Sequence, residues 1–234
     1  MVNTDALEKK HEPDGKGFVD TILRKGTPRR AHHIELFHDG EIVEAICQRF
    51  GLNAGIDRDV RFWWERQHIA LYRFLGFDYI QIGLGGLDVP LHQRAIEDTA
   101  GLKRAGGRTY LNEQTGPIAT WEDFEKFPWP EQDAPAATEA LEWCCENVPE
   151  DMCLVGMCGG HFAEWLTWLM GYESLCFALY DKRDLVDAIA ARLIDIFTRS
   201  ARRVAKFDRV KVLWGSDDMG FKTQPLISPA DARA

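Results

Sequence analysis

The sequence predicts an α/β fold organised on a parallel sheet, and we interpret it as the first part of a (β/α)8 barrel, or TIM barrel. Strand-like runs of β-branched and apolar residues alternate with helix-like segments of about ten residues or more, which is typical of parallel α/β sheets. Residues 38–41, after the first predicted strand, form neither a G-x-G-x-x-G nor a Walker lysine motif. This absence disfavours a doubly wound nucleotide-binding sheet, which remains the alternative.

The composition indicates an ordinary globular protein. The 234 residues carry 28 Lys and Arg against 37 Asp and Glu, and a net charge of −9 disfavours general binding to nucleic acid or anionic membranes. No run approaches the roughly 18 apolar residues of a membrane span, and the N-terminus has no apolar signal core. We therefore expect a cytoplasmic protein with no membrane and no nucleic-acid partner.

Six cysteines are expected to be free thiols, because disulfides are uncommon in cytosolic chains of this size. Cys153 and Cys158 flank a predicted strand at a spacing that is not common for zinc. We interpret all six as structural, with Cys158 the one that lies closest to a predicted site.

The first part of the chain is predicted to be a polar N-terminal extension, residues 1–17, followed by a partial barrel domain, residues 18–234. Apolar residues recur at helical or strand spacing in the segments that follow the extension. Predicted helices cover residues 18–25, 41–50 and 58–75, and predicted strands cover residues 32–37 and 79–83.

Residues 84–130 are predicted to be an excursion from the barrel, since glycine, threonine and charged residues become frequent there. The excursion is expected to contain a hairpin with its tip at 104–108 and its strands at 95–99 and 108–112. Thr120 and Asp123 have the residue types of a capping box. A short helix is therefore predicted to begin there and to end at Pro128.

The second half returns to alternating helices and strands. Predicted helices cover residues 134–147, 162–170, 172–180 and 184–207, with a hinge at Gly171, and predicted strands cover residues 153–157 and 210–213. An acidic loop at 215–220 follows. Ser228 and Pro229 then have the types of an N-cap and a first helical residue. A helix that begins so near Ala234 leads us to expect a piece of a longer chain.

Five segments, in this order along the chain, resemble the uroporphyrinogen decarboxylase (URO-D) superfamily. They are WEDFEKFPWP at 121–130, LMGYE at 169–173, LYDKRDLV at 179–186, DDMG at 217–220 and LISP at 226–229. The resemblance extends from about Glu35 to the last residue. It implies a (β/α)8 barrel of which about the first four βα units are present, and an enzyme that acts on a small molecule.

The resemblance also has departures that bear on the reaction. The arginine-rich segment of true uroporphyrinogen decarboxylases corresponds here to residues 35–41, which are acidic, and their catalytic aspartate has no clear match in 79–84. We therefore expect corrinoid- or thiol-linked methyl transfer rather than uroporphyrinogen III decarboxylation in porphyrin and haem biosynthesis, which remains an alternative. A non-catalytic half-barrel that binds a partner is the other alternative.

The resemblance to the methyltransferase branch carries further expectations. It implies a corrinoid protein as a partner, beside the small-molecule substrate, and leaves assembly as a homo-oligomer open. Zinc is the cofactor to expect in that branch, with its ligands beyond residue 234. No metal ligand is assigned within this sequence.

Candidate site residues lie where predicted strands end, because barrel enzymes act at the carboxyl ends of their strands. Asp217, Asp218 and His161 are the predicted catalytic residues. Two adjacent carboxylates repel each other and need a cation, a proton or hydrogen-bond donors nearby. The alternatives are that Asp217 caps a helix and that His161 caps the helix that follows it.

Further residues at these strand ends are predicted to bind the substrate. They are Glu35, His38, Gln81, Gly159, Gly160 and Trp214. The glycines would allow a backbone to approach a ligand closely. The helical tryptophans Trp165 and Trp168 are expected to be core packing.

Overall fold

The fold is known from a computed structural model, which describes residues 11–86, 88–131, 135–159, 161–218 and 220–233. The helices are α1 Gly15–Ile22, α2 Gly40–Phe50, α3 Trp63–Leu75, α4 Trp121–Lys126, α5 Glu139–Asn147, α6 Phe162–Met170, α7 Tyr172–Asp181 and α8 Arg183–Val204. The strands are β1 Tyr79–Gly83, β2 Gln93–Ile96, β3 Arg108–Leu111, β4 Cys153–Met157 and β5 Val210–Trp214. Short 3-10 helices occur at Pro135–Thr138 and Asp231–Arg233.

The main sheet confirms the predicted α/β class. Three strands lie in the order β1-β4-β5, and both pairings are parallel. The backbone connecting β1 to β4 carries the excursion and α5, and α6, α7 and α8 connect β4 to β5. Most of β1 and β4 is buried, as expected for strands covered on both faces.

The predicted first strand at 32–37 is wrong, so the sheet has three parallel strands among the described residues where the sequence suggested four. This segment lies near β1 and is bonded to it by side chains of β1 rather than by a backbone ladder. The hydroxyl of Tyr79 accepts from the Glu35 amide at 2.9 Å and donates to the Glu35 carbonyl at 2.7 Å. Ile34 and Phe37 are 56% and 64% exposed. Alternation alone predicted a strand, but no buried face fixes its register.

The hairpin predicted in the excursion is confirmed. Strands β2 and β3 are antiparallel, with Gln93 opposite Leu111 and Ile96 opposite Arg108, and they form a sheet separate from the main one. The first strand begins two residues before its predicted start at residue 95. The excursion therefore extends away from the parallel sheet, as its composition indicated.

An ion-pair network attaches the hairpin to the start of α2. Arg104 bonds the carboxylates of Asp39 and Glu41. Arg108 bonds Glu41 at 2.5 Å and Asp98 at 2.9 Å. The Arg104 amide and the Arg108 guanidinium lower the pKa of Asp98 to about 2. These contacts fix the position of β3 relative to the rest of the chain.

The predicted boundaries of the excursion helix are confirmed in detail. The Thr120 hydroxyl accepts from the Asp123 amide, and the Asp123 carboxylate accepts from the Thr120 amide, so the capping box is complete. Phe127 is extended where the helix ends, as expected for a residue that precedes Pro128.

Two clusters of apolar side chains form the core. The first surrounds β1 and β4 and includes the fully buried Leu71 and Leu141. The second joins α6, α7 and α8 and includes the fully buried Leu169 and Ile189. Helix α8 contacts α6, α7, β4 and β5, and so links the clusters.

All six cysteines are free thiols, as predicted. Burial raises the pKa of Cys144 to about 12 and that of Cys153 to about 11, so both act as apolar packing residues. Across the described ranges, no helix combines the length and the apolar character needed to span a membrane.

The predicted cap at Ser228 is present. The Ser228 hydroxyl accepts from the Asp231 amide at 3.1 Å and donates to the Asp231 carboxylate at 2.6 Å. Upstream, the hydroxyl of Tyr172 in α7 donates to the Leu226 carbonyl at 2.8 Å. This bond holds the segment after β5 against α7.

Candidate active site

The carboxyl ends of the three parallel strands lie side by side, with Gly83 opposite Met157 and Met157 opposite Trp214. The loop from β4 to α6 therefore meets the loop that follows β5. This meeting point brings together the three residues predicted to be catalytic.

Asp217 caps helix α6 from the loop after β5. Its Oδ2 accepts from the Ala163 amide at 2.8 Å, and its Oδ1 accepts from the Glu164 amide at 3.1 Å. These amides belong to the first turn of α6, where no intrahelical acceptor is available and where the helix dipole favours a negative charge. Asp217 thus has the capping role named among the alternatives.

His161 occupies the N-cap position of α6, yet its side chain makes no capping bond. Its Nδ1 lies 2.6 Å from Oε2 of Glu164, and its Nε2 lies 3.3 Å from Oγ of Ser216. The ring also lies 5.9 Å from that of Trp168, at an angle of 30°. The His161 and Glu164 side chains are each 27% exposed, so both are accessible to a small molecule.

The contacts of His161 assign its protons. A carboxylate only accepts hydrogen bonds, so Nδ1 carries the proton that faces Glu164 in the neutral ring. Nε2 is then an acceptor for the Ser216 hydroxyl. A separation of 3.3 Å is long for a hydrogen bond from a hydroxyl. Nε2 can therefore exchange Ser216 for another donor, which is the arrangement of a base held by an orienting carboxylate.

A cavity of about 430 Å³ lies next to this site, and Glu164 lines it while its partner His161 does not. The cavity is open to solvent on one side and is lined by β3 and the residues after it, by α6 and α7, and by the segment after β5. Its carboxylates are those of Glu113, Glu164 and Asp218. Its aromatic rings are those of Tyr110, Trp168, Tyr172 and Phe221. No Lys or Arg side chain in the described part of the chain lines it.

Three residues predicted to bind the substrate lie apart from this cavity. Gln81 donates from Nε2 to the Leu36 carbonyl, and its Oε1 is buried without a partner among the described residues. His38 packs edge-on against Tyr72 and against a residue that precedes β1. Glu35 is exposed and accepts from the amide of its neighbour Leu36 at 3.1 Å.

Trp214 and Gly159 lie at the carboxyl ends of β5 and β4, and neither lines the cavity. Trp214 is half-buried at the end of β5, and its carbonyl accepts from the Cys158 amide at 3.4 Å. Gly159 has a φ of 78°, and a Cβ there would lie 2.7 Å from the ring of Phe197. This close approach explains the glycine by packing. Gly160 lies outside the described residues.

The chain was compared with protein-family models, with curated proteins and with solved structures. None of them matches it. The resemblance to the URO-D superfamily therefore remains a prediction from the sequence.

The described residues do not fit a zinc ion. Among them, no three His, Cys, Asp or Glu side chains converge as metal ligands. The Cys158 thiol donates to the Trp214 carbonyl at 3.6 Å, and burial raises the pKa of this thiol. No zinc ligand is therefore assigned among the described residues.

Sequence reasoning missed several members of the site. Glu164 follows His161 by three residues, a spacing that brings side chains together on a helix, and this signal was available. Trp168 was expected to be core packing but lines the cavity. Ser216, Tyr110 and the other hairpin residues carry no local signal, because only the tertiary fold places them here.

Proposed function

We propose that this chain belongs to a (β/α)8 barrel enzyme of the URO-D type, one that transfers a methyl group to a thiol rather than decarboxylating uroporphyrinogen. The sequential order of β1, β4 and β5 supports such a barrel, since its strands follow one another around the sheet. The convergence of His161, Asp217 and Asp218 at the carboxyl ends of those strands supports an active site there.

The negative charge of the cavity is the main observation that supports this proposal. Uroporphyrinogen bears many carboxylates, and a site that binds it needs several cationic partners. The cavity instead has the carboxylates of Glu113, Glu164 and Asp218, and no Lys or Arg among its described lining residues. The acidic cavity would repel a polycarboxylate. Of the two reactions that the resemblance implies, this charge favours methyl transfer.

His161 is the acid–base residue of the proposed reaction. The thiol gives its proton to Nε2, its sulfur forms a bond to the methyl carbon, and the bond from that carbon to the donor breaks with its electron pair left on the donor. Glu164 keeps Nδ1 protonated and stabilises the imidazolium that results. Asp217 acts as a positioning residue, because it holds the helical turn that begins beside His161.

Acyl transfer with Ser216 as the nucleophile is a second candidate, because Ser216, His161 and Glu164 have the order of a catalytic triad. Such a reaction also needs backbone donors for an oxyanion. The nearby amides of Ala163 and Glu164 already donate to Asp217. A fluorophosphonate probe, which labels an activated serine, tests whether Ser216 is a nucleophile. Methyl transfer predicts no labelling of Ser216.

An isotope experiment tests methyl transfer. The chain is incubated with methylcobalamin, or with small N-, O- and S-methyl compounds, each carrying a deuterated methyl group. Homocysteine or 2-mercaptoethanol is the acceptor, and the deuterated thioether is measured by mass spectrometry. We expect thioether from at least one donor and its loss in His161→Ala. His33→Ala, at an exposed histidine, is the matched control and should retain the wild-type rate.

Three results would contradict the proposal. Formation of coproporphyrinogen from uroporphyrinogen III would restore the decarboxylase alternative. Ligand binding without thioether from any donor would favour a non-catalytic binding module. A wild-type rate in His161→Ala would remove this histidine from the reaction.

A further inference from the structure

The aromatic side of the cavity is assembled from three separate parts of the chain. Tyr110 comes from β3, Trp168 from α6, Tyr172 from α7 and Phe221 from the segment after β5. Aromatic faces carry negative electrostatic potential, and rings that surround one space are the usual binding site for organic ammonium ions. These three parts are far apart in sequence. The tertiary fold, and not one amphipathic helix, therefore brings the four rings together.

The polar side of the cavity is acidic, and no Lys or Arg among the described residues lines it. Glu113 and Asp218 form no ion pair with a Lys or Arg in the described part of the chain, and Glu164 is paired only with His161. Asp218 is exposed, and its Oδ1 accepts a hydrogen bond from the Gly220 amide at 3.2 Å. The carboxylates are thus placed around an open space without the counter-charge that usually accompanies them.

The size of the cavity, about 430 Å³, suits a small molecule. A quaternary ammonium ion donates no hydrogen bonds, so a site recognises it by aromatic faces and by carboxylates at a distance. A neutral apolar molecule would use the rings but not the carboxylates, and an anion would be repelled by them. The combination of rings and unpaired carboxylates therefore selects for positive charge.

We infer that this cavity binds a methylated organic ammonium ion, and that this ion is the methyl donor of the enzyme. The second half of the inference rests on the proposed function. In the reaction, the carbon–nitrogen bond of the donor breaks and its electron pair stays on nitrogen, while the thiol sulfur gains the methyl group and His161 takes the thiol proton. A cation and a thiol give a neutral amine, a thioether and a proton, so no oxidant or reductant is required.

Isothermal titration calorimetry with choline and with 3,3-dimethylbutan-1-ol tests the binding. The alcohol has the shape of choline, with carbon in place of the charged nitrogen. We expect choline to bind at least about ten-fold more tightly, because charge is the only large difference between the two. Equal binding of both compounds, tighter binding of the alcohol, or no binding of choline would overturn the inference.

Variants assign the binding to this cavity. Asp218→Asn removes an exposed charge that supports no core packing, and we expect it to weaken choline binding without affecting the alcohol. Asp208→Asn is the matched control at an exposed aspartate outside the cavity. Trp168→Phe should also weaken choline binding, and Trp64→Phe, at an exposed tryptophan on α3, should not. Equal effects of a variant and its control would place choline elsewhere.

The outcomes separate this inference from the proposed function. If methylcobalamin yields thioether while choline does not bind, methyl transfer stands and the ammonium donor is rejected. If choline binds but no donor yields thioether, the cation site stands and the proposed reaction is rejected.

Discussion

Asp217 and Ala163 are 54 residues apart in sequence, and the Asp217 carboxylate accepts the Ala163 amide at 2.8 Å. This bond ties the loop after β5 to the first turn of α6. It therefore links the end of one parallel strand to the helix that carries His161 and Glu164.

Replacing Asp217 with alanine should fray that turn. Loss of a side-chain cap costs about 1 kcal/mol of the free energy of unfolding. Urea denaturation followed by circular dichroism measures this loss. Asp218→Ala is the control, because within the described part of the chain the exposed Asp218 carboxylate accepts only from the nearby Gly220 amide. An equal loss in both variants would mean that the α6 cap does not stabilise the fold.

Glu164→Gln should impair the proposed reaction while leaving the fold intact. A glutamine can present its amide nitrogen to His161 and no longer stabilises the imidazolium, so we expect turnover to fall by about a hundred-fold. Thioether formation as a function of pH measures the change. Glu173→Gln is matched, since Glu173 lies in the first turn of α7 as Glu164 lies in that of α6. Equal activity of the two variants would exclude a role for the Glu164–His161 pair.

Asp78, directly before β1, is fully buried and fixes the N-terminal segment to the sheet. It is bonded by Arg30, by His32 at 2.6 Å and by the Asp14 amide at 2.7 Å. Burial on its own raises the pKa of Asp78, but the bonds from His32, the Asp14 amide and Arg30 outweigh burial, and the pKa is lowered. The ionised carboxylate is therefore the form that the fold stabilises.

Asp78→Asn should destabilise the protein, at a cost of about 3 kcal/mol, since it removes the buried charge that pairs with Arg30 and that accepts from His32 and the Asp14 amide. The lowered pKa sets the pH dependence. The Asp78 contribution is fully present above the pKa of the unfolded chain, near 3.9, and is lost as the pH falls through the lower folded value.

Thermal unfolding between pH 7 and pH 3 measures this effect. The difference between wild type and Asp78→Asn should shrink as the pH falls. Asp20→Asn, whose partner Lys16 is exposed, should change stability little at any pH. A difference that is constant with pH would argue against an ionised Asp78.

Gly171 joins α6 to α7 with a φ of 81°, and a Cβ there would lie 2.5 Å from the Thr115 amide nitrogen. Gly171→Ala combines left-handed backbone strain with this collision, so we expect a loss of about 2 kcal/mol. Differential scanning calorimetry measures it. Gly40→Ala is the control, because Gly40 begins α2 and has open space at its Cβ position. Retained stability in Gly171→Ala would show that the hinge can relax.

Local sequence patterns correctly predicted the elements whose apolar residues are buried in the fold. The apolar runs of β1 and β4 are buried as expected, and the capping box at Thr120 begins α4. The run at 32–37 has the same alternation but fails as a strand. Periodicity states which side chains would share a face, and only tertiary packing decides whether a surface exists to bury that face.

The positions of the candidate site residues were also predicted only in part. His161 and Asp218 lie at the strand ends as predicted, since parallel strands all end at one edge. His38 does not, because its ring is drawn into packing with Tyr72. Asp217 was predicted as a catalytic residue. Its hydrogen bonds to α6 could not be predicted from the sequence, because the amide that donates to it lies 54 residues away.

The sequence by itself determined the α/β class, the excursion with its hairpin, and an acidic loop after the last strand. Each of these follows from composition and spacing within one short segment. Only the tertiary structure decided that the hairpin returns to face α6, that Glu164 orients His161, and that unpaired carboxylates share a cavity with four aromatic rings. Those relations join distant segments, and they depend on how packed elements are positioned in space.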